Sequence, residues 1–237
     1  MRMIYNMKYE TIDRNMTEFQ SGGRKNRGCR NNLFIVNGII YDASKSKDSK
    51  PVLIQLYDYS TMFDSLNLEQ VMIDVHEAGL HGKEFCAVYQ VNRKTFMAVK
   101  TQDGVSDRQE LESTVLQGDT VGSIAASVQA DTIMKGSTEN KFVYRYKCQL
   151  SIGHMIQVDD IVGFTEPGCV AQMFNSYINI KTAEKQLQFN PKKCKVMYVG
   201  CDSDSDMTGD LTVDSWRVEY RENSCWRPMR ERGKWRR

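Results

Sequence analysis

Apolar residues fall into short blocks along the chain, and their spacing separates helices from strands. Leu33-Phe-Ile-Val-Asn-Gly-Ile-Ile40 follows Asn31-Asn32 and has a spacing compatible with a helix. After the polar run Ser44–Lys50 and Pro51, Val52-Leu-Ile-Gln-Leu-Tyr57 is an apolar run with β-branched content and predicts a buried strand that ends at Asp58. Leu68, Val71, Met72, Val75 and Ala78 share one helical face. Asn67 is placed to cap that helix, Glu69 suits its positive end, and Gly79 stops it. Residues 85–100 predict two strands around Asn92-Arg93. Thr120–Met134 predicts a helix rich in small residues (Gly122, Ser123, Ala125, Ala126, Ser127), which lets another backbone approach closely. Gly153–Val158 and Ile161–Phe164 predict a hairpin with Asp159-Asp160 at its tip. Val170, Met173, Phe174 and Tyr177 stripe another helix, and Lys195–Val199 reads as a last strand. Residues 1–20 look helical, and Gly22, Gly23 and Gly28 make Ser21–Arg30 a flexible basic turn. Strands interleaved with helices and closed by an antiparallel hairpin predict an α+β domain.

Composition narrows the class. The chain has 237 residues, 41% hydrophobic and 26% charged, enough for a packed core. No apolar run approaches the roughly 18 residues of a membrane span, and the N-terminus lacks the apolar stretch of a signal peptide. The expectation is an intracellular protein, nucleus or cytoplasm unresolved, with no membrane partner. The 7 cysteines have no CxxC pair and the 3 histidines do not cluster with them, so reduced thiols are expected rather than a zinc site. The net charge of +2 hides an asymmetry: the first thirty residues carry +4 and the last twelve +5, so the residues between sum to −7. Basic ends suit polyanion contact; a solvated terminus is the simpler reading of the C-terminal arginines. Asp202, Asp204 and Asp206 begin like a calcium loop, but Met207 stands where the loop needs Gly and Val213 where it needs Glu. That stretch reads as an acidic connector.

Three acids stand out by position. Asp58 ends an apolar strand, and Asp159 and Asp160 sit at a hairpin tip where two adjacent anions repel. If the two strands lie side by side, these carboxylates share a sheet edge and could hold metal ions roughly 3.5–4 Å apart. A plain solvated Asp-Asp turn is the simpler reading of that pair alone.

The order of segments adds to it. Leu56-Tyr-Asp58-Tyr-Ser-Thr-Met-Phe63-Asp64, Val115-Leu-Gln117-Gly118-Asp119, Gln157-Val158-Asp159-Asp160 and Leu187-Gln-Phe-Asn190-Pro-Lys-Lys193-Cys194-Lys195 follow one another. In this order they resemble motifs A, B, C and D of the palm of reverse transcriptases from non-LTR retrotransposons. Upstream, Phe19-Gln20-Ser-Gly22-Gly-Arg24-Lys-Asn-Arg27-Gly28-Cys29 resembles the segment before motif A in that family. The resemblance covers roughly residues 1–200. It implies a reverse-transcriptase-like palm, an antiparallel sheet packed on helices, with partial fingers and no thumb. Residues 1–50 would be a remnant of the fingers and 51–200 the palm. Residues 201–237 would be an acidic loop, a short family-like strand and a basic irregular tail.

The resemblance also assigns roles. Asp58 and Asp159 would hold two Mg²⁺ ions with Asp160 in support. Phe63 would lie under the incoming sugar and select deoxynucleotides, unless it is a core residue. Gln117 and Gly118 would lie against template and nucleotide, and Lys193 near the phosphates. Arg24, Lys25, Arg27 and Arg30 are the candidates for nucleic-acid contact; a solvated loop is the competing reading. The implied partners are an RNA template, a DNA primer and deoxynucleoside triphosphates. Leu116 and Gln157 depart from the family pattern without removing a carboxylate. No finger motifs that grip the triphosphate, thumb, endonuclease or RNase H segment is recognisable, so the chain reads as truncated. The expected function is RNA-directed DNA polymerase. The alternative is an inactive retroelement remnant with weak nucleic-acid binding. A two-metal nuclease would share the carboxylates but have no use for Phe63 or Gln117-Gly118.

Overall fold

The computed structural model describes residues 10–45, 50–93, 95–111, 120–139, 142–146 and 150–200, with short strands at 210–213, 216–219, 229–230 and 234–235. Helix α1 (Cys29–Lys45) precedes strand β1 (Val52–Tyr57) and helices α2 (Met62–Ser65), α3 (Leu68–Glu77) and α4 (Gly82–Asn92). An excursion of short strands follows: β2 (Thr95–Met97), β3 (Lys100–Thr101), β4 (Gly104–Val105) and β5 (Gln109–Leu111). Helix α5 (Thr120–Glu139) leads through β6 (Tyr144–Tyr146) and β7 (Leu150–Ile152) into β8 (His154–Gln157) and β9 (Asp160–Thr165). Helix α6 (Cys169–Glu184) and β10 (Lys195–Val199) complete the central part.

Strand β1 runs through the middle of a four-stranded sheet of order β10-β1-β9-β8, with every neighbouring pair antiparallel. Its side chains alternate between two cores. Val52 and Ile54 join Phe164 of β9, Met155 of β8, Tyr144 of β6 and Ile39, Ile40 and Ala43 of α1. Tyr57 joins Ile156 and Ile161 of the hairpin, Val71 and Met72 of α3, Ala125, Val128 and Ile133 of α5, and Phe174 and Ile178 of α6. Burial on both faces is why β1 reads as a nearly continuous apolar run. Its polar break, Gln55, is buried and satisfied: Nε2 donates to Thr165 Oγ1 at 3.1 Å, and Oε1 accepts the Tyr57 hydroxyl at 2.7 Å.

Local signals hold where the chain decides its own structure. The Asn67 side chain accepts from the backbone N–H groups of Glu69 and Gln70 at 3.0 and 3.2 Å, capping α3. At the other end Leu80 N–H donates to Val75 C=O and Gly79 N–H to His76 C=O, with Gly79 at φ +101°. This is the glycine-terminated cap expected there. The predicted strands at 85–100 are corrected. Residues up to Asn92 form α4, with Val88 and Asn92 buried four residues apart on one face; strand begins only at Thr95–Met97, and Lys100 opens the two-residue β3. Packing against the helical core overrides the short apolar run. Helix α5 extends to Glu139. Of the helical reading of 1–20, residues 1–9 lie outside the described residues; 10–15 are helical, and from 16 the chain turns.

The hairpin is shifted by one residue. Gln157 pairs with Asp160, so Val158 and Asp159 form the turn and Asp160 begins β9. The 201–209 stretch and Gln117-Gly118 lie outside the described residues. β11 (Asp210–Val213) and β12 (Trp216–Glu219) pair antiparallel, as do β13 (Met229–Arg230) and β14 (Lys234–Trp235), so part of the tail expected to be irregular is strand. Among the described residues no helix is long and apolar enough to cross a membrane.

His154 on β8 is fully buried; Nδ1 lies 3.0 Å from Ser137 Oγ and Nε2 has no hydrogen-bond partner. Burial lowers its pKa to about 4. The unfolded imidazole titrates near ~6.5. Between those values the unfolded chain binds a proton that the folded chain refuses, so stability falls as pH drops through that window. Denaturant unfolding at about pH 7 and about pH 4 should show the wild type losing on the order of 3 kcal/mol more than His154→Gln. Equal losses would mean that the imidazole takes its proton in the folded state. Separately, Asn67→Ala should cost about 1 kcal/mol, read as a lower urea midpoint at unchanged slope.

Candidate active site

The last paired residues of β1 and β9 are Tyr57 and Ile161, and those of β8 and β9 are Gln157 and Asp160. Continuing this register sets Asp58 across from Asp160, at the sheet end that carries the Val158–Asp159 turn. The motif D-like loop closes over the exit of β1. Asn190 N–H donates to the Asp58 carbonyl at 2.8 Å, and Ser60 N–H donates to the Gln188 carbonyl at 2.8 Å. Tyr59 bridges to Phe189, and their rings stack with centroids 4.6 Å apart. Lys193 N–H donates to the Asn190 carbonyl, a tight turn that carries Lys193 Nζ to 3.2 Å from Asp58 Oδ1. That oxygen is shut from water and lacks a well-aligned hydrogen bond, so the lysine meets it as an ion pair.

Like charges crowd this edge. Burial lifts the Asp159 carboxyl above its ordinary range and the Asp58 charge adds to the lift; its own backbone N–H and Lys193 oppose it. Burial also lifts Asp160, followed by the charges of Asp159 and Asp58, again against Lys193. All three acids and Lys193 therefore act on one another. Among the described residues no three His, Cys, Asp or Glu side chains close into a ready-made metal cage. A hard-oxygen rim with one shielded, unbonded carboxylate oxygen nevertheless fits Mg²⁺. That ion keeps several waters and takes only one or two protein carboxylates plus substrate phosphates.

The other sequence candidates separate in space. Phe63, in α2 just beyond Asp58, is half-buried and packs against the helical core, so its ring has a structural use. Arg24 does not face solvent. Nε donates to Asp13 Oδ1 at 2.6 Å, Nη2 to the Asp13 carbonyl at 2.7 Å, and Nη1 to the Thr17 and Gln20 carbonyls. Four of its five N–H donors are spent inside the chain, so it is corrected from a nucleic-acid contact to a brace for residues 13–20. Lys25, Arg27 and Arg30 are exposed, with Arg27 Nη1 donating to the Glu18 carbonyl. A neighbour of Arg24 was missed as a site residue: Gln20 is fully buried against Val158, in the turn that carries Asp159. No local pattern marks a buried glutamine; its only signal was its place in the family-like stretch before motif A.

No protein-family model matches the chain, and no curated protein matches it in sequence. Solved structures do match. Apo telomerase from Candida tropicalis, truncated from its C-terminal domain, aligns with a TM-score of 0.61 at 10% identity, over 92% of this chain and 43% of that one. Telomerase from the same organism with a TWJ fragment of telomeric RNA gives 0.61 at 13% identity, over 91% of this chain and 35% of that one. A structure described as an RdRp complex gives 0.50 at 13% identity, over 93% and 20%. These likenesses show the fold. It is reverse-transcriptase-like, of the polymerase palm kind. The chain spans less than half the length of the telomerase chains it resembles.

The charge coupling at the rim is measurable. Asp58→Asn should move the carboxyl titrations of Asp159 and Asp160, followed by ¹³C NMR, down toward the ordinary range. Lys193→Met should move both up. Midpoints unchanged in both variants would show that the four side chains do not share one field.

Proposed function

We propose that this chain is the palm of an RNA-directed DNA polymerase of the kind found in non-LTR retrotransposons. The observation that carries the reading is the meeting of Asp58, the Val158–Asp160 hairpin and Lys193 at one sheet edge of a reverse-transcriptase-like fold. The motif order in the sequence supports it. Asp58 and Asp159 would hold Mg²⁺, with Asp160 beside them. Bound there, Mg²⁺ lowers the pKa of a primer 3′-hydroxyl and offsets charge on the triphosphate.

The chain's own residues supply the rest. The Asn190 N–H bond to the Asp58 carbonyl and the Tyr59–Phe189 stack hold the β1 exit against the motif D-like loop, which carries Lys193. Lys193 lies where a triphosphate oxygen could replace Asp58 as its partner, and it would then neutralise the phosphate rather than the carboxylate. Phe63, just past Asp58, would border the sugar of the incoming nucleotide. Gln117 and Gly118 would complete the nucleotide side. The exposed Lys25, Arg27 and Arg30 would contact the phosphates of an RNA template or DNA primer, with deoxynucleoside triphosphates as the substrate.

A second reading is an inactive remnant that only binds nucleic acid. It is favoured by one observation: the Asp58 carboxylate already has a resident cation in Lys193, and among the described residues no complete three-carboxylate cage stands around it. Extension of a DNA primer on an RNA template separates the two. The polymerase reading expects Mg²⁺-dependent extension that falls on the order of 10²–10³-fold or more in Asp159→Asn. Extension that Asp159→Asn leaves unchanged would remove the two-metal assignment. Salt-sensitive RNA binding with no extension at all would favour the remnant.

A further inference from the structure

β8 is the outer strand of the sheet, and its open side is covered by the chain at Phe19–Ser21. Ile156 N–H donates to the Phe19 carbonyl at 2.9 Å and Ser21 N–H donates to the Ile156 carbonyl at 2.8 Å, a parallel bridge centred on Gln20. The Gln20 side chain then reaches past the end of β8. Its Nε2 donates to the carbonyls of Val158 and Ser127, each at 3.1 Å, and its Oε1 accepts from the N–H groups of Gly22 at 2.8 Å and Val158 at 3.1 Å. Both donors and both lone pairs of the carboxamide are used. One side chain thus holds both polar groups of the Val158 backbone and ties them to α5.

Val158 needs holding. It sits at φ +64° in the first position of a two-residue turn, a place that favours glycine. A β-branched residue there is strained by roughly 1–3 kcal/mol and persists only where its surroundings over-determine it. A second contact closes the other side: a Cβ on Gly22 would lie 2.2 Å from Val158 N and 2.5 Å from Val158 Cγ2, so the Gly22 backbone is pressed against the turn. The holder is itself braced. Arg24 Nη1 donates to the Gln20 carbonyl at 3.0 Å, and Thr17 N–H donates to Asp131 of α5 at 2.9 Å. Asp159 is the next residue, so the left-handed turn sets the direction in which both hairpin carboxylates leave the backbone.

We propose that Gln20, backed by Gly22, is a positioning residue for the metal site: it imposes the left-handed conformation of Val158 and thereby the alignment of Asp159 and Asp160 with Asp58. The inference rests on the metal reading above and adds a residue that touches neither metal nor substrate. The test is Mn²⁺ affinity of the full chain, read by electron paramagnetic resonance. Gln20→Met, similar in shape without the four bonds, should weaken Mn²⁺ about 10–100-fold, as loss of a support behind a ligand typically does. Gln20→Glu keeps the acceptors and loses the donors, so it should fall between, and it carries the test if Gln20→Met does not fold. Asn67→Ala weakens the fold at the α3 cap without touching the turn or the segment that holds it, and should leave Mn²⁺ affinity unchanged. Adding Val158→Gly to Gln20→Met should recover much of the lost affinity, because glycine adopts the turn without strain. Equal losses in Asn67→Ala and the Gln20 variants, or no recovery with Val158→Gly, would overturn the proposal and leave Gln20 a packing residue. Binding that depends on Asp159 but not on Gln20 sinks this inference alone. Binding indifferent to Asp159→Asn sinks the metal reading and this inference with it.

Discussion

The pairing of β1 with β9 cannot slip. Both faces of β1 are buried, so a shift of one residue would drive Tyr57 and Ile54 into each other's cores and strand Gln55 away from Thr165. That fixed register sets the end of β1 level with the end of the β8–β9 hairpin, and so decides which acids meet. Asp58, Asp159 and Asp160 come together because the strands beneath them have no alternative pairing of comparable burial. Burial first, and the charges of the neighbouring carboxylates after it, raise the pKa values of Asp159 and Asp160. Packing energy in the sheet therefore supports an electrostatically unfavourable edge, a common arrangement where a fold serves a charged site.

Three pieces of chain converge on that edge from distant parts of the sequence. The loop after α6 contributes Lys193 and the backbone bond to Asp58. The segment before α1 contributes Gln20, 138 residues from the turn that it holds. Helix α5 supplies the Ser127 carbonyl and the Asp131 carboxylate against which that segment is fastened. The likeness to telomerase over most of this chain is a likeness of fold, at a sequence identity too low to transmit residue roles.

Much of the central fold was legible because it rests on local chemistry. The Asn67 cap, the Gly79 stop and the apolar run Val52–Tyr57 act within a few residues of themselves, and each appears where the pattern placed it. The segment 85–92 was misread because a short apolar run satisfies either a helix or a strand. Burial of Val88 and Asn92 on one face settled it in favour of a helix. Arg24 was read as a phosphate contact because its neighbours are basic. Nothing within that stretch foretells that carbonyls at Thr17 and Gln20 and the carboxylate of Asp13 consume its donors.

The amino-acid order by itself determined the α+β class, the position of the central strand and which acids deserved notice, since periodicity, caps and carboxylate placement are properties of neighbouring residues. Only the tertiary structure decided that the hairpin turns at Val158–Asp159 rather than Asp159-Asp160. A β-branched residue does not choose a left-handed conformation on local grounds. It adopts one when a remote glutamine satisfies both of its backbone groups and a remote glycine leaves it just enough room.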